Sequence, residues 1–529
     1  PATNRGTISP IETMNQVQDN ITWTRGDHQI KFGGGFNKIY DYRRNDISAQ
    51  YTFASIAAYS AAKAGTTPLG YTSFSQTLGN AEIVYNSTFY NLFAQDDWKV
   101  NPRMKLSYGV RYDLYDIPEG DANSPLTQAK NFRVDKNNFA PRLGMVYALR
   151  QGNRPTVFRA SAGMYYDTVY LVMYENAIQG NGTGRYVAVS RTPSQTGAPS
   201  FPNVMTASFA SLGITQNAEV ISPDFDNMYA LHYQAQLEQA LTDNISFTVG
   251  YIHSNGRQMP VYKQINCLPT AARLADGRPV YGTLSGAGVM TPCTNKVNTS
   301  FTNVIEVGSG GNSKYDAMTL QLSKRFSQGY QFSFNYTLSR ARDNAPERNL
   351  QGVGAASLTD PSNRGWDWAY GVADQRSTVS ASFVARPSFS IENKYLAYLV
   401  NQNQLSFTAF AGSGETFPIN TNFDLNGDGI GNDIPVGYER NAGRAPGFFN
   451  VDFRYSRVIP IKERFKIELF GEATNIFNIN STLSYGSGTT LTTGYDKPTG
   501  ALTTPFSYAN FTPTAQESRQ GQFGVKFVF

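Results

Sequence analysis

Hydrophobic and polar residues alternate with a period of two along most of this chain. In MKLSYGVRYDLY, Met104, Leu106, Tyr108, Val110, Tyr112 and Leu114 fall on one face, and Lys105, Ser107, Gly109, Arg111 and Asp113 on the other. Tyr229, Leu231, Tyr233, Ala235 and Leu237 oppose His232, Gln234, Gln236 and Glu238 in the same way. So do Tyr330, Phe332, Phe334, Tyr336 and Leu338 against Gln331, Ser333, Asn335, Thr337 and Ser339. Successive side chains of a strand point to opposite faces, so each segment buries one face and wets the other. Helical spacing is confined to two short segments, ASIAAYSAAKAG and NKYLAYLV.

The pattern predicts strands in pairs: 15–24 with 28–40, 86–99 with 104–117, 138–150 with 154–167, 226–241 with 244–256, and 313–326 with 330–342. The pairs 374–386 with 404–412 and 448–458 with 463–476 follow, and GQFGVKFVF closes the chain. Most partners are joined by short connections such as RGD, VNPR, QGN, TDN, SQG and PIKE, rich in turn-forming residues. The pairs themselves are separated by long loops near 41–85, 118–137, 168–225, 257–312, 343–373, 413–447 and 477–520. Short turns alternating with long loops are the rule for an outer-membrane barrel, with the long loops outside the cell. The fold class expected is therefore an all-β, antiparallel transmembrane barrel.

Aromatic residues at the strand ends, Trp23, Trp98, Tyr112, Tyr115, Tyr165, Tyr166 and Tyr251, suit girdles at the water–lipid interfaces. In the last segment Phe523, Val525, Phe527 and Phe529 alternate with Gln522, Gly524 and Lys526, an aromatic ending typical of outer-membrane proteins. Fifteen strands is an odd count, whereas single-chain bacterial barrels have even numbers. An odd number of upstream strands is therefore expected to be missing. The start at Pro1, with no initiator Met or signal peptide, likewise suggests a processed product or a fragment.

Composition agrees. Only 16% of residues are charged, against about 25% in typical soluble domains, while 13% are aromatic. The mean hydropathy of −0.38 excludes nothing here, since alternating strands average out. No run of eighteen apolar residues exists to make a transmembrane helix. A net charge of +5 from scattered basic residues gives no support to nucleic-acid binding.

Several segments resemble one family. YNLFAQDDWKVNPRMKLSYGVRYDLYD is similar to a strand–turn–strand block of TonB-dependent receptor barrels, and FNVDFRYSRVIPIKERFKIELFGEATNIFN resembles their penultimate hairpin. NITWTRGDHQIKFGGGF and the stretch from SGETFPINTNFDLNGDGIGND to FFNVDFRYS narrow the resemblance to the Oar-like subgroup. It covers most strands from about residue 12 to 529 and implies one barrel portion over 1–529. The resemblance implies a 22-stranded barrel with an N-terminal plug, of which the plug and the TonB-contacting box are absent from this sequence. It further implies an outer-membrane location, partnership with membrane lipid and the TonB complex, and uptake of a bulky extracellular ligand.

Candidate chemistry is sparse. His28, His232 and His253 are far apart, His232 lies on a polar face, and Asp96 and Asp97 are adjacent in a strand and point to opposite faces. The expectation is that the chain is not an enzyme and requires no cofactor. Arg111, Asp113, Arg159, Glu238, Lys466, Glu468 and Glu472 should line the lumen. Cys267 and Cys293 share one external loop and are candidates for a disulfide, two free thiols being the alternative. DLNGDGIGND begins as a calcium loop does: Asp424, Asn426 and Asp428 would supply side-chain oxygens, Ile430 a carbonyl, and Asp433 would close the shell, with Gly429 at the sharp turn. Pro435 stands where an EF-hand has its bidentate Glu, so a structural calcium staple competes with a metal-free polar turn. Ligand uptake competes with two other functional readings: a surface adhesion or structural protein using the barrel as a loop platform, and a soluble carbohydrate-binding protein.

Overall fold

The structure is a computed structural model that describes all residues except 1, 5–8, 45–48, 80–81, 184–185, 207–214, 286–287, 346–357, 373, 422, 432, 463–464, 486–489, 492–495, 497–498, 505–506 and 508–512. Fifteen long strands follow the period-two segments. They are β1 (Ser9–Arg25), β2 (His28–Arg44), β3 (Glu82–Asn101), β4 (Met104–Asp116) and β5 (Phe139–Arg150). Next are β6 (Thr156–Tyr166), β7 (Tyr229–Ala240), β8 (Ile245–Gln264), β9 (Phe301–Ser327) and β10 (Tyr330–Asp343). The last are β11 (Ser377–Ala385), β12 (Asn403–Gly412), β13 (Phe448–Lys462), β14 (Phe465–Thr474) and β15 (Gln520–Val528). Each pairs antiparallel with its neighbours in chain order, giving one continuous curtain from β1 to β15. The sheet is not closed: among the described residues the outer edges of β1 and β15 have no strand partner.

The short turns gather at one end, for example Gly26–Asp27 and Pro102–Arg103; residues 463–464, in and beside the expected PIKE turn, lie outside the described residues. The exception is the β11–β12 link, residues 386–402, which carries the helix Lys394–Val400 capped by the Asn393 side chain.

The wall is apolar on its outside. Tyr108, Leu143 and Tyr233 occupy one cross-strand row with Ala162, and Leu143 is 56% exposed. Phe247, Val249 and Tyr251 of β8 face the same way as Leu322, Leu320 and Met318 of β9. Large apolar side chains exposed at every second position are what a lipid-facing wall requires. Two expected girdle residues are elsewhere: Tyr115 is buried in the loop core, and Tyr165 lies on the inward face beside Arg142 and His232. Aromatic type alone does not reveal which parity faces lipid.

Several loops are shorter than the pattern implied, because the strands run on past the membrane. β9 has 27 residues against the roughly 9–11 needed to span. Its outer half and that of β8 turn both ends of the expected 257–312 loop into sheet, leaving 265–300 between them, and Gln216–Ile221 adds in parallel to the start of β9. The loops fold into a canopy with its own core of Ile83, Tyr85, Tyr115, Phe132, Met173, Tyr174, Ile305 and Val307. The helix Leu171–Gln179 within this core was not visible as helical spacing; Ile56–Lys63 and Lys394–Val400 were.

A charge on the outer face should be costly and one on the inner face cheap. Leu320→Arg is expected to destabilise the folded wall by about 2–4 kcal/mol in a bilayer, while Gln321→Arg next to it stays within about 0.5 kcal/mol. Denaturant unfolding in lipid vesicles checks the pair, and equal effects would contradict the assigned faces.

Candidate functional site

The canopy is held together by loop-to-loop contacts that join segments distant in sequence. At its base Arg43 pairs with Asp41 and with Glu175, both at 2.9 Å, tying the end of β2 to the buried helix. Tyr85 donates its hydroxyl to Asp41 at 3.1 Å. Further along, Arg440 is buried and donates Nε to the Asp367 carbonyl at 3.3 Å and Nη2 to the Asp343 carbonyl at 2.9 Å. Its guanidinium also pairs with the Asp343 carboxylate, so loop 413–447 is stitched to 343–373.

Cys267 and Cys293 are joined by a disulfide with their Cα atoms 5.2 Å apart. A loop of this size is worth about 3 kcal/mol in the chain-entropy picture. The acidic loop docks on this bridge. Cys293 N–H donates to the Gly427 carbonyl at 2.8 Å, and Tyr281 N–H to that of Asn426 at 2.6 Å. The bridge sulfurs lie 3.4 and 3.2 Å from the Asp428 carbonyl; having no proton to give, they make packing contacts. Gly427 has φ +72°, and a Cβ there would stand 2.6 Å from Gly282, so the two loops approach as only glycine allows.

Within DLNGDGIGND the side chains fold inward onto their own backbone. Asp424 accepts from Gly427 N–H at 2.6 Å and Gly429 N–H at 2.9 Å. Asn426 Oδ1 accepts from Asp428 N–H at 2.9 Å, and Asp428 Oδ1 from Ile430 N–H at 2.8 Å. Asp433 Oδ2 reaches back to Leu425 N–H at 2.6 Å and Asn426 N–H at 3.2 Å. Gly429, at φ +86°, makes the expected sharp turn. Burial raises the Asp424 carboxyl, and burial with the charges of Asp433 and Asp424 raises Asp428 well above the usual range. Asp433 is raised by burial and by Asp424. Among the described residues, no group of three or more His, Cys, Asp or Glu stands ready to hold a metal ion. Ile430, expected to offer a carbonyl, also packs its side chain against the canopy core, a role its neighbours in sequence did not reveal.

The histidines are dispersed. His28 Nδ1 lies 2.7 Å from Asp96, which also accepts from the Tyr108 hydroxyl at 2.8 Å. Asp97 meets Ser107 and Lys105 instead, so the two adjacent carboxylates have separate partners. His232 packs edge-on to Tyr165, and His253 Nδ1 lies 2.7 Å from Asp316. Inward-facing charges pair within a strand, as Arg111 does with Asp113 at 2.8 Å, and across strands, as Arg159 does with Glu238 at 3.7 Å and Arg454 with Glu468 and Glu472 at 3.1 and 2.7 Å. Arg454, the centre of the last group, went unnoticed in the sequence; its place opposite Glu472 in the β13–β14 ladder is the signal.

A curtain of spanning strands, apolar outside, ion-paired inside and capped by folded loops, defines an outer-membrane barrel wall. Residues 2–438 match the family model described as outer membrane beta barrel domain, and the chain belongs to that family. Over 276 residues it is 25% identical to the TonB-dependent transporter Oar of Myxococcus xanthus, covering 49% of this chain and 24% of the relative. Its fold is similar to that of the outer membrane transporter YddB of Escherichia coli, with a TM-score of 0.52 at 11% identity over 98% of this chain and 54% of that one. The chain thus spans about a quarter of the curated relative and about half of the solved transporter. Both relatives are named as transporters, and the outer membrane is the location that the solved one shares with this family.

Asp367 offers a pH test of the canopy. It is almost fully buried, and burial pushes its carboxyl up to about 6 despite the Thr359 hydroxyl and N–H donating to it at 2.7 and 3.1 Å. Because the folded value lies above the unfolded one, the stabilisation is complete below about pH 4 and is lost as pH rises through about 6. Hydrogen-exchange protection around residues 358–368 should fall by about 2–3 kcal/mol over that window, and Asp367→Asn should flatten the dependence. An unchanged slope in the variant would assign it to another group.

Proposed function

We propose that this chain supplies the wall and the ligand-capturing loops of a TonB-dependent transporter that takes up a bulky ligand, an oligosaccharide, a peptide or a metal chelate. The observation that carries the reading is the asymmetry of the wall, with mostly tight turns at one end and a folded, cross-stitched canopy at the other. Likeness to Oar supports it. In hydrocarbon an unpaired strand edge leaves backbone groups without partners. The edges of β1 and β15 therefore call for further strands in the working barrel, and a plug and TonB contact belong with them. Uptake of labelled ligand by cells carrying the intact protein should fall at least about tenfold when TonB is inactivated, while surface retention persists. Retention with no TonB-dependent uptake would favour adhesion or a structural role.

We further propose calcium as a staple of the 424–433 loop. Three carboxylates in one buried loop repel one another, and a divalent cation would offset that repulsion. Asp424, Asn426, Asp428, the Ile430 carbonyl and Asp433 are the donors offered, and affinity in the range of about 10⁻⁴–10⁻³ M suits an external site. Protease cleavage within 413–447 should accelerate at least about threefold at neutral pH when calcium is chelated and recover on adding it back at about 5 mM. An unchanged cleavage rate would leave the loop as a metal-free turn.

A further inference from the structure

The outer surface of β8, β9 and β10 changes character at a single level. Their ladder sets Tyr251, Met318 and Leu338 in one row, continuing the apolar rows below. The next row is His253, Asp316 and Arg340, and the row after it Asn255, Lys314 and Arg342. Every second residue of a strand shares a face, so these charged rows look outward like the apolar ones. β8 runs from the short turn toward the canopy, which puts the change at the extracellular edge of the hydrocarbon.

A short strand, Ala369–Tyr370, pairs with the end of β10 and places Tyr370 opposite Arg342. Guanidinium carbons of Arg342, Arg340, Arg376 and Arg444 stand 4.8, 5.4, 5.5 and 5.5 Å from the Tyr370 ring centre. Its hydroxyl accepts from Arg376 at 3.2 Å and Arg340 at 3.5 Å. Arg444 has Asp374 at 2.5 Å, Arg342 has Glu439 at 3.6 Å, and Lys314 has Asp316 at 3.3 Å. Among the described residues, Arg340 and Arg376 have no carboxylate within 4.0 Å. A cavity of about 210 Å³ opens between Lys314, Asp316, Arg340, Arg342 and Trp368.

Arg340 and Arg342 line this cavity with Lys314 and the carboxylate of Asp316, while Arg376 and Arg444 stand around the same Tyr370 ring. With no carboxylate within 4.0 Å of Arg340 or Arg376 among the described residues, positive charge is left that an anion would complete. We infer that this rim cavity binds the phosphate of a phosphorylated lipid headgroup in the outer leaflet. The site lies on the lipid side of the wall, away from the lumen, so a passing solute does not account for it. The row of Tyr251, Met318 and Leu338 beneath it is placed to meet the acyl chains, and Trp368 has the amphipathic ring favoured at this depth. Guanidinium forks match phosphate oxygens in pairs, which an ammonium does not.

The test uses the intact protein in detergent, with bis-phosphorylated lipid A, its dephosphorylated form and inorganic phosphate as probes. Native mass spectrometry should find the bis-phosphorylated lipid retained and the dephosphorylated form at least about fivefold less so. Arg340→Gln with Arg376→Gln should lower retention by a similar factor with heat-modifiable migration unchanged, and Arg340→Lys should restore only part of it. Equal retention of the two lipids, or by the wild type and the double variant, would overturn the assignment. Displacement of the lipid by equimolar inorganic phosphate would overturn it too, making this a soluble-anion site.

Discussion

A backbone in hydrocarbon has no water to bond with, so every N–H and C=O must find a partner in the protein. The curtain from β1 to β15 meets that demand by pairing each inner strand on both sides, and among the described residues its two edges are left open. Much else follows from it. The strands must alternate, because one face meets lipid and the other the lumen. Connections must emerge at either end, and the long ones, unable to pack inside the wall, build their own core above it from Tyr85, Tyr174, Ile305 and their neighbours.

Charge is sorted by the same constraint. Inside the wall, ion pairs hold several ionised groups, across strands for Arg454 with Glu468 and Glu472 and within one strand for Arg111 with Asp113. On the lipid side Asp96 is enclosed by His28 and Tyr108 near the turn end, where it is close to the interface. At the opposite boundary polar side chains appear in a level row, beginning with His253, Asp316 and Arg340. The His–Asp contacts at both levels resemble parts of catalytic sites when taken in isolation. Their position on the outside of a membrane wall makes them interfacial polar clusters instead.

The canopy shows how loops without regular structure can be tied to one another. The Cys267–Cys293 bridge fixes one loop, the acidic loop lies on it through backbone bonds from Cys293 and Tyr281, and Arg440 fastens the next. Three negative side chains are thereby buried within a few residues, which is electrostatically unfavourable unless protons or a cation offset it. The loop's shape and its charge are separate consequences of the same ten residues.

The sequence by itself determined the class, the number of long strands and most of their boundaries at the short turns, because period-two alternation is imposed residue by residue by the two faces of the wall; at the canopy end β1, β2, β3, β8 and β9 run 4 to 12 residues beyond the expected limits. It also located the glycine at the sharp turn of 424–433 and two of the helices, features set by local backbone preference. Only the tertiary structure decided which parity faces lipid at Tyr165, how far β8 and β9 extend beyond the membrane, and that Leu171–Gln179 is a buried helix. It alone gathered Arg340, Arg342, Arg376 and Arg444 about Tyr370. Such contacts join positions separated by tens of residues, and they depend on ladder register and loop docking, which no local pattern encodes.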